Sequence, residues 1–145
     1  MENGMAIYRR KVNYYETDCM GIVHHSNYIR FFEEARLDLM AQSGMSYRNI
    51  EEMGIIIPVT FVECEYVRPL QYDDNIRIES RFAKYHGIKL EVSYEIYHEG
   101  TQQLCTRGRT GHCFLDCDMK PLRVKKEFPE LYQKLSSLVV KEHSS

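Results

Sequence analysis

Only the stretch 27–43 keeps a helical period long enough to cross a domain, and the runs that follow it alternate with a period of two. Tyr28, Phe31, Phe32, Ala35 and Leu39 fall at i, i+3, i+4, i+7 and i+11. They form one apolar stripe on a helix about 25 Å long. Arg30, Glu33, Glu34, Arg36 and Asp38 fall mostly off that stripe. Ser26 is read as the N-cap and Gly44 as the stop, and a shorter helical turn over 46–53 would be capped by Ser46.

Ahead of the helix, Ala6, Tyr8, Val12 and Tyr14 alternate over 5–14 and predict a first strand. Behind it, the run 55–67 places Val62, Cys64 and Tyr66 between Glu63 and Glu65 and their neighbours. Ile76, Ile78, Ser80 and Phe82 alternate with Arg77, Glu79 and Arg81, and Leu90, Val92, Tyr94 and Ile96 alternate with Glu91, Ser93, Glu95 and Tyr97. Leu104, Thr106, Gly108, Thr110, His112 and Phe114 share one face of a last strand. His86-Gly87 and Glu99-Gly100 are turn signals, so these three runs read as an antiparallel meander. One helix cannot cover both faces of about five strands. The sheet must curl around the helix or meet a second copy, which gives an α+β domain with a dimer interface.

At 145 residues the chain has the size of one domain, 1–145, with a tail from about 126 that carries a short helical pattern at 131–140 and a frayed polar end. A net charge of −2 argues against nucleic acid or an anionic membrane surface as a general partner. No apolar run reaches the roughly 18 residues of a membrane span. The stretch 1–11 has charged residues in place of the apolar core of a secretion signal, which predicts a cytoplasmic chain. Five cysteines, an odd number with no CxxC pair, favour neither a disulfide framework nor a zinc site, even where His112, Cys113 and Cys117 lie close together. No metal and no cofactor is expected. His112, Tyr66, Tyr94 and Phe114 read as core or interface residues.

Chemistry concentrates in the run from Tyr14 to Tyr28, where Asp18 sits in a loop leading into the helix N-terminus. Unpaired N–H groups at such an end attract anions and polarise carbonyls, and a carboxylate beside them suits attack on an acyl group. From the residues alone, Asp18 and Gly21 serve equally as turn residues, and His24 and His25 as loop or cap residues.

The positions Tyr14, Asp18, Gly21, Val23, His25, Asn27 and Tyr28, followed by Phe31, Phe32, Glu33, Ala35 and Arg36, resemble the signature of the 4-hydroxybenzoyl-CoA thioesterase family. The likeness is nearest to the bacterial acyl-CoA thioesterases linked to the Tol–Pal envelope system. It extends over about 5–125 and includes the Arg68-Pro69 step. It implies a hot-dog fold, a curled antiparallel sheet around the long helix, in a homodimer or homotetramer that binds acyl-CoA, or an acyl-carrier protein, along the interface.

The same resemblance implies that Asp18 is the catalytic carboxylate, as nucleophile or as general base. It further implies that the His25 amide polarises the thioester carbonyl, with the Tyr14 and His25 side chains in support. Gly21, Val23, His24, Asn27 and Arg68 fall at substrate-binding positions. His24 stands where relatives often carry an aromatic residue. A thiolate leaves without a strong general acid, since free thiols have pKa values near ~8.5, so one carboxylate and one amide suffice. Arg68, Arg123, Lys125 and Lys126 are candidates for the CoA phosphates. Glu33 or Glu34 would be the alternative carboxylate, and otherwise a helix residue pairing with Arg30 or Arg36. A hot-dog hydratase or dehydratase, and a non-catalytic acyl-CoA or acyl-carrier-protein binding module, are the competing functions.

Overall fold

The computed structural model describes residues 4–139. Strand β1 spans Met5–Lys11, helix α1 Ser26–Gln42, helix α2 Tyr47–Glu52, and strands β2 to β5 span Val59–Tyr66, Asn75–Tyr85, Lys89–His98 and Leu104–Cys113. Two short helices close the chain, α3 at Val124–Glu127 and α4 at Pro129–Leu138. Val140 and the polar end beyond it, expected to finish the last helical pattern, lie outside the described residues. No helix among the described residues is long and apolar enough to cross a membrane.

The five strands form one antiparallel sheet in the order β1-β3-β4-β5-β2. The meander β3-β4-β5 is the one its turn signals predict. The row Ala6, Ser80, Tyr94, Gly108, Cys64 runs across all five strands in register. Along β3 and β4 the predicted alternation is met: Ile76, Ile78, Ser80 and Phe82, and Leu90, Val92, Tyr94 and Ile96, are buried. The opposite face carries the charges, tied across strands by Arg109 to Glu63 (2.8 Å) and to Glu91 (3.1 Å), with Arg77 paired to Glu79 along β3 itself (2.9 Å).

Helix α1 buries Tyr28, Phe31, Phe32, Ala35 and Leu39, the stripe read from the sequence. Each large side chain so removed from water contributes roughly 2 kcal/mol. Phe32 stacks on Tyr94, ring centroids 4.4 Å apart, directly over the glycine at 108. Gly44, at φ +76°, ends the helix as expected, and the Ser46 side chain accepts from the Asn49 N–H to cap α2.

Four local readings are corrected. Strand β1 stops at Lys11, not at Tyr14, because the Glu16 carboxylate accepts from the Asn13 N–H and turns Tyr14–Glu16 into a 3-10 helix. Ser26 is the first helical residue and not the N-cap. The ring nitrogen Nδ1 of His24 accepts from the Ser26 N–H at 3.2 Å and does the capping. The run 55–67 becomes a strand only at Val59, since Ile56 pairs separately with Leu115 and Pro58 has no N–H to donate. Glu34 pairs with neither Arg30 nor Arg36 but with Arg10 of β1.

His112 is the satisfied core histidine that the pattern predicts. Its Nε2 meets Thr110 Oγ1 at 2.8 Å, that hydroxyl meets Tyr94 O–H at 2.7 Å, and Arg36 donates to the tyrosine oxygen at 3.2 Å. Burial first, and the Arg36 charge second, push its pKa down from 6.5 to about 4. An unfolded His112 therefore takes a proton at a pH where the folded one refuses it. Its contribution to stability is complete above pH 6.5 and is lost as pH falls toward 4. A His112→Gln variant is expected to lack about 3 kcal/mol of the stability that the parent loses between pH 7 and pH 4. Urea unfolding at both pH values checks this, and an unchanged difference would assign the pH dependence to other groups.

Candidate active site

The loop between β1 and α1 is a tight hairpin built around Asp18. Thr17 bridges Val23, the Asp18 N–H donates to Ile22 O at 2.8 Å, and the Gly21 N–H donates to Asp18 O at 3.0 Å. Gly21 sits at φ +79°, a conformation that other residues adopt only with strain. The Asp18 carboxylate accepts from the Met20 N–H through Oδ1 at 2.8 Å, which fixes its orientation. Its Oδ2 has no partner among the described residues. The hairpin docks on the chain ahead of β3, where the Val23 N–H donates to Leu70 O and Ile22 bridges Gln71.

The helix N-terminus lies immediately behind. The amide of His24 donates to Glu16 O, that of Ser26 to the His24 ring, that of Asn27 to His24 O, and that of Tyr28 to His25 O. The amide of His25 has no partner among the described residues. It is thus a free donor at the positive end of a 17-residue helix.

Asp18, His25 and Arg68 open on one cavity of about 450 Å³ whose remaining wall is apolar: Met20, Ile22, Val23, Tyr28, Tyr66, Val67 and Pro69. Tyr28 and Tyr66 meet edge to face at 4.9 Å, and burial pushes the Tyr28 phenol up to about 12, so it is neutral at physiological pH. A larger hollow of about 810 Å³ lies on the charged side of the sheet. Its Glu63 and Glu91 are both paired with Arg109.

The structure thus brings Asp18, Val23, His25 and Arg68 together, and Gly21 shapes the turn beneath them. Three expected site residues stand apart from the cavity wall. Tyr14 is largely exposed and packs edge-on against Tyr72 at 5.5 Å. His24 is occupied in capping, its ring 4.1 Å from that of His25. Asn27 is buried and donates its side chain to Glu16 O at 2.8 Å. Arg68 also donates to Leu104 O at 3.3 Å. Arg123, Lys125 and Lys126 do not line this cavity, and Lys125 lies over the Tyr132 ring at 5.5 Å. Glu33 is exposed and off the cavity. Among the described residues no group of three His, Cys, Asp or Glu side chains could hold a metal ion.

Tyr66 is half exposed, not core, and forms cavity wall. Met20, Tyr66 and Val67 carry no local signal for that role. The signal for Glu16, the Asn13-x-x-Glu16 spacing, was there to be found.

A family described as the thioesterase-like superfamily matches residues 12–135. A putative esterase of Aquifex aeolicus is 36% identical over 86% of this chain and 95% of its own length. A putative acyl-CoA thioesterase of Bacillus subtilis is 32% identical over 83% of this chain and 87% of its own. Among solved structures, a DHNA-CoA thioesterase from Staphylococcus aureus superposes with a TM-score of 0.87 at 33% identity, covering 92% of this chain and 90% of its own.

Proposed function

The chain belongs to the thioesterase-like superfamily and has its hot-dog fold, and from that premise we propose that it hydrolyses acyl-CoA thioesters to a carboxylic acid and free CoA at the Asp18 cavity. One observation carries the assignment of the site. Asp18, with one carboxylate oxygen unpartnered among the described residues, and His25, whose helix N-terminal amide has no partner among them, line the same largely apolar cavity.

In this reading the acyl group lies along Met20, Tyr28, Tyr66 and Val67, and the thioester oxygen accepts from the His25 N–H. Asp18 Oδ2 takes a proton from water as that water attacks the acyl carbon. The tetrahedral intermediate, its oxyanion held by the amide, expels the thiolate, which the protonated Asp18 or solvent then neutralises. Arg68 in the cavity wall suits a phosphate of the CoA moiety, and His25 lines the same cavity as Asp18. Tyr14, packed on Tyr72 outside the cavity wall, is a supporting residue in this reading.

Spacing of Tyr14, Asp18, Gly21 and His25 supports the finer placement among the Tol–Pal-associated acyl-CoA thioesterases. The donor is CoA, with an acyl-carrier protein as the second candidate. Five free cysteines fit a reducing compartment, and the reading is of a cytoplasmic enzyme.

The functional test offers saturated and enoyl acyl-CoA thioesters in oxygen-18 water. Thiol release with label in the acid alone is expected. Hydration of the enoyl group without thiol release would make the protein a hydratase, and label on Asp18 would make that residue a nucleophile.

Strand β2 supports the reading of a homodimer or homotetramer. It is an edge strand of eight residues, paired among the described residues only with β5, and leaves Val59 and Tyr66, with Val67 just beyond its end, exposed. Such an edge is satisfied when a second copy continues the sheet. The expected species in sedimentation has two or four times the 17.2 kDa chain mass, and a stable monomer would contradict the assembly.

A further inference from the structure

Glu16 lies two residues before Asp18, and it is buried. Its carboxylate accepts from Arg10, itself about nine-tenths buried, at 2.5 Å, and from the Asn13 N–H at 2.7 Å. Arg10 reaches onward from β1 to Glu34 of α1 at 2.6 Å, and Tyr8 donates to the other oxygen of Glu34 at 2.8 Å. The guanidinium is also placed over the Phe31 ring, 4.5 Å from its centroid. The backbone carbonyl of the same glutamate accepts from the His24 N–H at 2.9 Å and from the Asn27 side chain at 2.8 Å.

One residue therefore holds both halves of the site. Its side chain anchors the segment that leads into Asp18, and its carbonyl anchors the segment that presents the His25 amide. Stability alone is a poor reason for such a pair, since a buried ion pair is often no better than packed apolar side chains of equal volume. What the pair supplies is a fixed relation between two groups that must act on one carbonyl carbon and its oxygen.

We propose that Glu16, locked by Arg10, is a positioning residue that sets the Asp18 carboxylate and the His25 amide at their working separation. This rests on the reading of Asp18 as the hydrolytic carboxylate. None of the three groups involved, Arg10, Glu16 or Asn27, lines the cavity, so substrate binding does not depend on them directly.

The test measures thioester turnover in Glu16→Gln and Asn27→Ala, each alone and combined with Asp18→Asn, with melting temperature recorded for all. Glu16→Gln keeps the shape and an acceptor but removes the charge facing Arg10. Asn27→Ala cuts only the link to the helix start. Each single variant is expected to lose about 10- to 100-fold in kcat with KM changed by less than about twofold, because a misplacement near 1 Å costs that much. In the Asp18→Asn background the same changes are expected to alter the residual rate by less than about twofold, since one of the two groups whose separation they set is gone. A merely structural role would lower the rate equally in both backgrounds, and that result overturns the proposal. If Glu16→Gln does not fold, Asn27→Ala decides: parental kcat in that variant overturns it. Loss in Asp18→Asn with retention in both positioning variants refutes this inference alone. Retention in Asp18→Asn refutes the reading of the site itself.

Discussion

Gly108→Ala is expected to destabilise the domain by about 3 kcal/mol, the upper range for overpacking a core, and to lower its melting temperature by roughly 10 °C. A Cβ at position 108 would stand 2.2 Å from Phe32 Cζ, 2.5 Å from Cε2 and 3.1 Å from the Glu63 carbonyl oxygen. The last of these is backbone of the neighbouring strand and cannot swing aside. The phenyl ring cannot move away freely either, because its other contacts are the stack on Tyr94 and the interior of α1. Relief would have to come from lifting the helix off the sheet at a row that crosses all five strands. The same methyl at Gly100, a turn residue, meets only the partly exposed His98 side chain, at 3.0 Å, and no backbone atom. Thermal unfolding of Gly108→Ala beside Gly100→Ala measures the difference, and equal melting temperatures would mean that the helix–sheet contact is looser than its geometry.

Much of this arrangement was legible because it is local. The 3.6-residue stripe of α1 and the two-residue alternation of β3 and β4 are direct consequences of which faces are buried, and both are met residue for residue. The meander followed from two glycine-bearing turns. The flanking pairings did not follow: β1 beside β3 and β2 beside β5 join segments separated by long connections, and neither strand contains a signal naming its neighbour.

Helix and strand ends were misplaced wherever a side chain competed with the backbone pattern. Glu16 bent the end of β1 into a 3-10 turn, and the His24 ring took the capping role read for Ser26. Asp18 was marked as a carboxylate leading into a helix start but read equally as a turn residue, and the family resemblance, not the spacing alone, singled out Asp18, Gly21 and His25. Glu34 met Arg10, 24 residues away, and no spacing rule reaches that far. For the same reason the cavity wall could be read on its loop side only. Tyr66, Val67 and Pro69 arrive from the far end of β2, and Arg68-Pro69 was the sole marker of that second wall.

The most direct test of the account replaces Asp18 by asparagine and follows free-thiol release from short-, medium- and long-chain and aromatic acyl-CoAs. The substitution keeps the size of the side chain and its oxygen acceptor for the Met20 N–H, so the hairpin and the cavity should persist, while the base for water is removed. The expected result is hydrolysis by the native chain and a fall of about a hundredfold or more in the variant, about 2.7 kcal/mol of barrier, with an unchanged melting temperature and acyl-CoA still bound. Equal turnover by the two proteins would contradict the account and move the chemistry to Glu33. Tight acyl-CoA binding by both, with no thioester hydrolysed by either, would contradict it differently and make the cavity a binding module.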